Sequence, residues 1–113
     1  LPIVMPQEVV DVLMDLARLE TQPRSEGFAK FVVLELRQAG IGMHRQPVRG
    51  AAFSVLKSPD IPSVLIELGF LTDPGDRANL FDPDWRAGTS RAIARAVSGW
   101  AQDDIARAGL SRK

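Results

Sequence analysis

The feature that most constrains the fold of this sequence is an apolar run near the middle of the chain. Residues 63–71 are almost continuously apolar, and they lie between Pro62 and the turn-forming sequence Asp73-Pro74-Gly75. A short apolar run with chain breakers at both ends is typical of a strand that is buried on both faces. The sequence therefore predicts a strand here, and such a strand needs other elements packed against it.

Helical patterns precede this run. Apolar residues at three- and four-residue spacings predict a helix over residues 8–19. Proline lacks an N–H and clashes with the preceding turn, so Pro23 predicts a break or kink at residues 21–23. A second helix is then expected to continue to Ala39, with Gly40 in the left-handed position just past its end.

Further elements complete the predicted architecture. Residues 41–45 and 52–56 are expected to be short strands, and Asp73 and Asp82 each precede a proline in the pattern of a helix start. The helix after Asp82 is predicted to end before Gly109. Helices around a buried strand indicate an α/β fold, with a partial mixed or parallel sheet flanked by helices. No internal boundary is visible, so residues 1–113 are interpreted as a single domain.

Composition excludes several classes of function. Fourteen basic residues balance fourteen acidic ones in 113 residues, so net charge gives no reason to expect a nucleic-acid partner. No apolar run approaches the ~18–20 residues that a membrane span requires. The chain has no cysteine and a single histidine, His44. Catalytic zinc sites usually take two or three histidine ligands, so we expect no metal site within this chain.

One charged residue stands out inside the apolar run. Glu67 lies at its centre, and an ionised carboxylate left buried without a partner would cost several kcal/mol. One interpretation is a general base or a metal-proximal carboxylate, with Gly69 leaving room beside it for a ligand. The other is a structural carboxylate paired with Arg49 or Arg77. From the residues alone both interpretations stay open.

Residues 46–73 carry a resemblance to a known family. The string Val55-Leu56-Lys57-Ser58-Pro59-Asp60-Ile61-Pro62-Ser63-Val64-Leu65-Ile66-Glu67-Leu68-Gly69-Phe70 resembles the C-terminal part of zinc-dependent N-acetylmuramoyl-L-alanine amidases of the septal cell-wall type. The resemblance implies the C-terminal half of a three-layer domain in a periplasmic peptidoglycan hydrolase of cell division. It also implies that Glu67 is the catalytic base beside the zinc.

The resemblance implies an incomplete site as well. The family binds zinc through two histidines and a glutamate that lie upstream of the matched segment, so zinc ligands are expected outside this chain. This chain alone is then expected to be inactive, either as a fragment or, alternatively, as a catalytically inactive α/β binding module. Arg49, in a cluster with Arg45 and Lys57, is the candidate substrate-binding residue for an anionic ligand, and the alternative is that the cluster is a solvated rim.

Partners follow from the same resemblance. Peptidoglycan is the implied substrate, and a LytM-type protein is the implied activator. Septal members carry a regulatory helical insertion that plugs the zinc site, and residues 1–14 are interpreted as the tail of such an insertion. The chain opens at Leu1 without an initiator Met, which suggests a fragment or a processed product. A lone apolar strand also predicts self-association through an exposed sheet edge.

Overall fold

The computed structural model describes residues 5–43, 47–48 and 59–111 of the chain. These ranges contain three helices: α1 over Gln7–Gln38, α2 over Pro74–Phe81 and α3 over Pro83–Ser111. α1 and α3 pack against each other, and the short α2 packs against α3. Within these ranges, no helix is both long enough and apolar enough to cross a membrane.

The predicted α/β fold is wrong for the part of the chain that the structure describes, which is helical and has no strand. Residues 62–70 are not helical, but they pair with no described neighbour as a strand would. A strand forms only where a second segment accepts and donates its backbone hydrogen bonds. The predicted strand at 52–56 lies outside the described residues. Positions 44 and 45 of the predicted strand at 41–45 lie outside them as well. The predicted sheet edge, and self-association through it, therefore have no support here.

The prediction at Pro23 was a break or a kink, and a break does not occur, because α1 runs through Pro23 as one helix of 32 residues. A proline inside a helix costs about 3 kcal/mol, so contacts elsewhere must offset that cost. Arg24, which follows Pro23, makes some of these contacts. The Trp100 indole N–H donates to the carbonyl oxygen of Arg24 at 3.0 Å, and the Arg24 side chain is bonded to α3.

The predicted end of α1 is confirmed. Gly40 has a φ of +77°, its N–H donates to the carbonyl oxygen of Arg37, and the N–H of Ile41 donates to that of Leu36. This pair of bonds is the Schellman arrangement, in which a left-handed residue satisfies the last carbonyls of a helix. The chain therefore turns sharply after α1.

The starts of the two later helices are confirmed as well. The Asp73 carboxylate accepts from the backbone N–H of Asp76 at 2.8 Å, and Pro74 opens α2. The Asp82 carboxylate accepts from the N–H of Asp84 at 2.9 Å, and Pro83 opens α3. α3 extends past the predicted end, which is the kind of boundary error that fraying helix ends produce.

The core lies between α1 and α3. Its buried apolar residues are small or medium in size: Val32, Leu36, Ala92 and Ala96. Small side chains on α3 let the two helices approach closely, and a Cβ at Gly99 would lie 3.1 Å from the Phe31 ring. Phe28 stacks on Trp100 with ring centroids 5.3 Å apart. Ile66, from the non-helical segment of residues 62–70, packs against the same cluster.

Ion pairs join the two helices outside this core. The Arg24 guanidinium donates to both carboxylate oxygens of Asp104, each at 2.8 Å, and Arg95 donates to Glu35 at 3.0 Å. The hydrogen bonds from Arg24 hold the pKa of the Asp104 carboxyl below its usual value, although partial burial opposes the shift. The same bonds raise the pKa of Arg24. Two parallel bonds fix the relative orientation of the helices more firmly than a single bond can.

We predict that Asp104→Asn lowers the free energy of unfolding by about 0.5–1 kcal/mol at pH 7. The native carboxyl has a lower pKa than the unfolded one, which titrates near ~3.9. The contribution of Asp104 is therefore full above about pH 5, and it is lost as the pH falls through the unfolded pKa and then the native one. Urea unfolding at pH 7 and at pH 3 measures the difference, which should shrink in acid.

Asp103→Asn is the matched control for this prediction. Asp103 pairs with Arg107 one turn away within α3, at 2.7 Å, and the pair is largely exposed. Removing it should lower stability less than Asp104→Asn does at pH 7. The free energies of unfolding of Asp104→Asn and the parent are compared at pH 7 and at pH 3. An equal difference at both pH values would contradict the role of the ion pair.

Candidate functional site

Glu67 is exposed on the surface of the molecule, although the apolar run around it was predicted to be a strand buried on both faces. Val64 and Ile66 are half-buried, whereas Leu65 and Glu67 are exposed, so alternate residues of this non-helical stretch face the core and the solvent. Ile66 packs against the α1–α3 core directly before Glu67. Only one face of the segment is covered by described residues, and the carboxylate is on the other.

Two hydroxyl groups of α1 hold the start of this segment. The Thr21 hydroxyl, which is buried, donates to the carbonyl oxygen of Pro59. The Ser25 hydroxyl oxygen accepts from the backbone N–H of Ser63 at 2.8 Å. Thr21 and Ser25 are one helical turn apart, so together they fix residues 59–63 along α1.

A tight turn holds the end of the segment. Gly69 has a φ of +152°, a conformation that residues with a Cβ rarely adopt. A Cβ placed there would lie 3.0 Å from Cβ of Asp76 and 3.3 Å from its Oδ2. The N–H of Phe70 donates to Oδ2 of Asp76 at 3.0 Å, and the N–H of Asp73 donates to the carbonyl oxygen of Phe70 at 3.0 Å. The space at Gly69 is therefore taken by Asp76, which corrects the interpretation that it admits a ligand.

Arg77, one of the two predicted partners of Glu67, does not pair with it. The Arg77 guanidinium lies over the Phe81 ring, 5.8 Å from its centroid. Among the residues that the structure describes, none forms an ion pair or hydrogen bond with the Glu67 side chain. Pairing with Arg77 is thus not observed, and both Arg49 and His44 lie outside the described residues.

Basic residues line an open groove close to the position of Arg49 in the chain. The groove is lined by Lys30, Val33 and Arg37 of α1 together with Pro47 and Val48. In contrast, the described ranges contain no group of three or more histidine, cysteine, aspartate or glutamate side chains placed to hold a metal ion. The described residues therefore do not fit a zinc site.

The sequence interpretation missed the hydrogen bonds that hold the segment around Glu67, which are made by Thr21, Ser25 and Asp76. The hydroxyl contacts join residues 38 positions apart and leave no local pattern. A signal for Asp76 exists, since it is the acidic residue three positions after the helix cap Asp73, the spacing of a capping box. That spacing predicts the bond to Asp73 but not the bond to Phe70.

We predict that Gly69→Ala destabilises the turn after Glu67, with a cost of about 1–3 kcal/mol in the free energy of unfolding. The new Cβ would meet the Asp76 side chain, and the backbone would be strained in its present conformation. Gly42→Ala is the control, because a Cβ at Gly42 meets no atom within 4 Å. Chemical denaturation of both variants measures the costs. Equal, small costs would contradict the geometry described for the turn.

Comparisons with known proteins place the chain in a family. The sequence pattern of the N-acetylmuramoyl-L-alanine amidase family, Amidase_3, matches residues 10–99. An N-acetylmuramoyl-L-alanine amidase AmiC of Neisseria meningitidis serogroup B is 29% identical over 103 residues, which are 91% of this chain and 24% of that protein. No solved structure matches the chain significantly.

Two further relatives are proteins named N-acetylmuramoyl-L-alanine amidase AmiA, from Salmonella typhimurium and Escherichia coli K12. Each is 34% identical over 86 residues, which are 76% of this chain and 29% of the relative. The chain thus spans about a quarter of the length of these curated relatives. The resemblance noted in residues 46–73 is confirmed, and the chain belongs to the N-acetylmuramoyl-L-alanine amidase family.

Proposed function

We propose that this chain is part of a peptidoglycan amidase and that Glu67 is its general base. The bond to be cleaved is the amide between the lactyl group of N-acetylmuramic acid and L-alanine of the stem peptide. Membership of the amidase family supports this reaction. The observation that carries the role of Glu67 is its placement, with an exposed carboxylate on a backbone that is held on both sides.

Such a placement suits proton transfer. A general base must reach a water molecule and the substrate while its own position stays fixed. In the proposed reaction the Glu67 carboxylate takes a proton from water as the water oxygen bonds to the amide carbonyl carbon. The carboxyl then gives that proton to the amide nitrogen as the carbon–nitrogen bond breaks, which leaves a carboxylic acid and an amine.

Zinc is the cofactor that the family resemblance implies. Bound zinc polarises a carbonyl group and lowers the pKa of a water ligand. Since the described residues do not fit a zinc site, we propose that its ligands lie upstream, in a part of the protein outside these 113 residues. The 113-residue chain, taken as part of a catalytic domain, would then supply the base and not the metal.

The basic groove is proposed to contact the substrate. Lys30 and Arg37 line it together with Pro47 and Val48, and Arg49 follows directly in the sequence. Peptidoglycan stem peptides carry carboxylates, which pair favourably with lysine and arginine side chains. Arg49 therefore remains our candidate substrate-binding residue at this groove.

The setting of the reaction is also a proposal. We place the protein in the periplasm, where it would act on peptidoglycan during cell division under a LytM-type activator. Residues 1–14 would be the tail of the regulatory insertion. The described part of that segment enters α1 at Gln7 and exposes Val9, Val12 and Leu13, which leaves an apolar surface available for a regulatory contact.

The test of the catalytic role is Glu67→Gln in the intact protein that carries this sequence. Glutamine keeps the size of the side chain but cannot accept the proton, so we expect kcat to fall roughly 10²- to 10⁴-fold. The binding of substrate should change little. Release of stem peptide from soluble muropeptides, followed by mass spectrometry, measures the rate.

Glu26→Gln is the matched control for this test. Glu26 is an exposed glutamate of α1, whose one described contact is a long hydrogen bond of 3.5 Å from Gln22. This variant should keep the parent rate. Glu67→Gln activity within about threefold of the parent would exclude Glu67 as the general base.

A further inference from the structure

We propose that Asp76 is a positioning residue for Glu67, acting through the backbone of Gly69 and Phe70. This inference rests on the proposed function, because it assigns Asp76 a part in placing the general base. The carboxylate of Asp76 accepts the N–H of Phe70 at 3.0 Å and occupies the space that a side chain at residue 69 would need. Asp76 thereby contacts the chain two and three residues beyond Glu67.

The hydrogen bonds at this turn depart from the usual arrangement at a helix start. In a capping box, the acidic residue at the third helical position accepts from the backbone N–H of the cap residue. Here the N–H of the cap residue Asp73 donates instead to the carbonyl oxygen of Phe70. The Asp76 carboxylate is therefore directed away from its own helix start and toward the segment that carries Glu67.

This contact connects Glu67 to the helical core. α2 packs against α3, and the Arg86 guanidinium donates to the carbonyl oxygen of Leu80 at 2.9 Å across the junction of the two helices. α3 in turn packs against α1. Before Glu67 the chain is held by the packing of Ile66, and after it by the bond from Phe70 to Asp76. Without Asp76, the second of these restraints is lost.

Loss of one restraint has a defined consequence for catalysis. A displacement of about 1 Å in a reacting group can lower a rate by roughly 10²-fold. The Glu67 carboxylate has no hydrogen bond or ion pair with the described residues that could correct such a displacement, so its position relative to them depends on the backbone. The effect should appear in kcat and not in KM, since Asp76 is not proposed to touch the substrate.

The experiment is a double-mutant cycle in the intact protein that carries this sequence. Asp76→Ala and Asp76→Asn are each made with Glu67 present and with Glu67→Gln. Asp82→Ala is the control, because Asp82 caps α3 through the N–H of Asp84 and has no described contact with residues 69 or 70. The measurements are kcat and KM on a soluble muropeptide, the melting temperature, and amide hydrogen exchange at Phe70.

With Glu67 present, we expect Asp76→Ala to lower kcat roughly 10- to 100-fold with KM nearly unchanged. Asp76→Asn should recover most of the rate, because its side-chain oxygen can accept the same bond. In the Glu67→Gln background, Asp76→Ala should lower kcat less than about threefold, since the group that it positions is already absent. Exchange at Phe70 should accelerate in Asp76→Ala and not in Asp82→Ala.

The outcomes separate the two proposals. Equal losses of kcat from Asp76→Ala in both backgrounds, or no loss in either, would overturn the positioning role while leaving Glu67 as the base. An active Glu67→Gln enzyme would overturn the proposed function itself, and with it the role of Asp76 in catalysis. Unchanged exchange at Phe70 in Asp76→Ala would overturn the bond on which the inference depends, whether or not the variants are active.

Discussion

The close packing of α1 against α3 is the constraint on which the rest of the structure depends. Alanine residues on α3 and the glycine at position 99 let the helices approach, and Phe28 and Trp100 stack between them. Both ends of the non-helical segment of residues 62–70 are held by this pair of helices. The hydroxyls of α1 hold its beginning, and α3 holds its end through α2. If the two helices separated, the beginning and the end of the segment would no longer be held at fixed positions relative to each other.

This arrangement explains how a charged residue can stand in an apolar segment without a buried ion pair. Glu67 faces away from the core, so its carboxylate does not pay the several kcal/mol that desolvation of an unpaired charge would cost. The apolar neighbours are not all buried either, because Leu65, Leu68 and Phe70 remain exposed in the described structure. The segment thus provides a fixed backbone and an accessible carboxylate, which the proposed role of Glu67 requires.

Local signals in the sequence were sufficient for some elements. The acid–proline pairs at Asp73 and Asp82 predicted both helix starts, and Gly40 predicted the end of α1, because each acts through bonds within a few residues. The alternation of faces over residues 64–67 was also predictable, since it follows from an extended backbone. The family was recognisable from the string around Glu67.

Features that depend on distant contacts were not predictable in the same way. Pro23 indicated a break, but the contacts of Arg24 with Trp100 and Asp104 lie about 80 positions away and keep α1 continuous. An apolar run indicated a buried strand, yet a strand needs a partner, and the described ranges offer none beside it. The contact of Asp76 with Phe70 was hidden because its spacing also fits an ordinary capping box.

In the proposed reaction, this chain supplies the general base while zinc is bound by residues outside it. The most direct test uses the 113-residue chain itself. Its zinc content and its hydrolysis of a muropeptide would be measured alone and after addition of the upstream part of the protein. We expect neither zinc nor hydrolysis from the chain alone, and both after the addition. Stoichiometric zinc bound by the chain alone, together with amide cleavage, would contradict this division of the site.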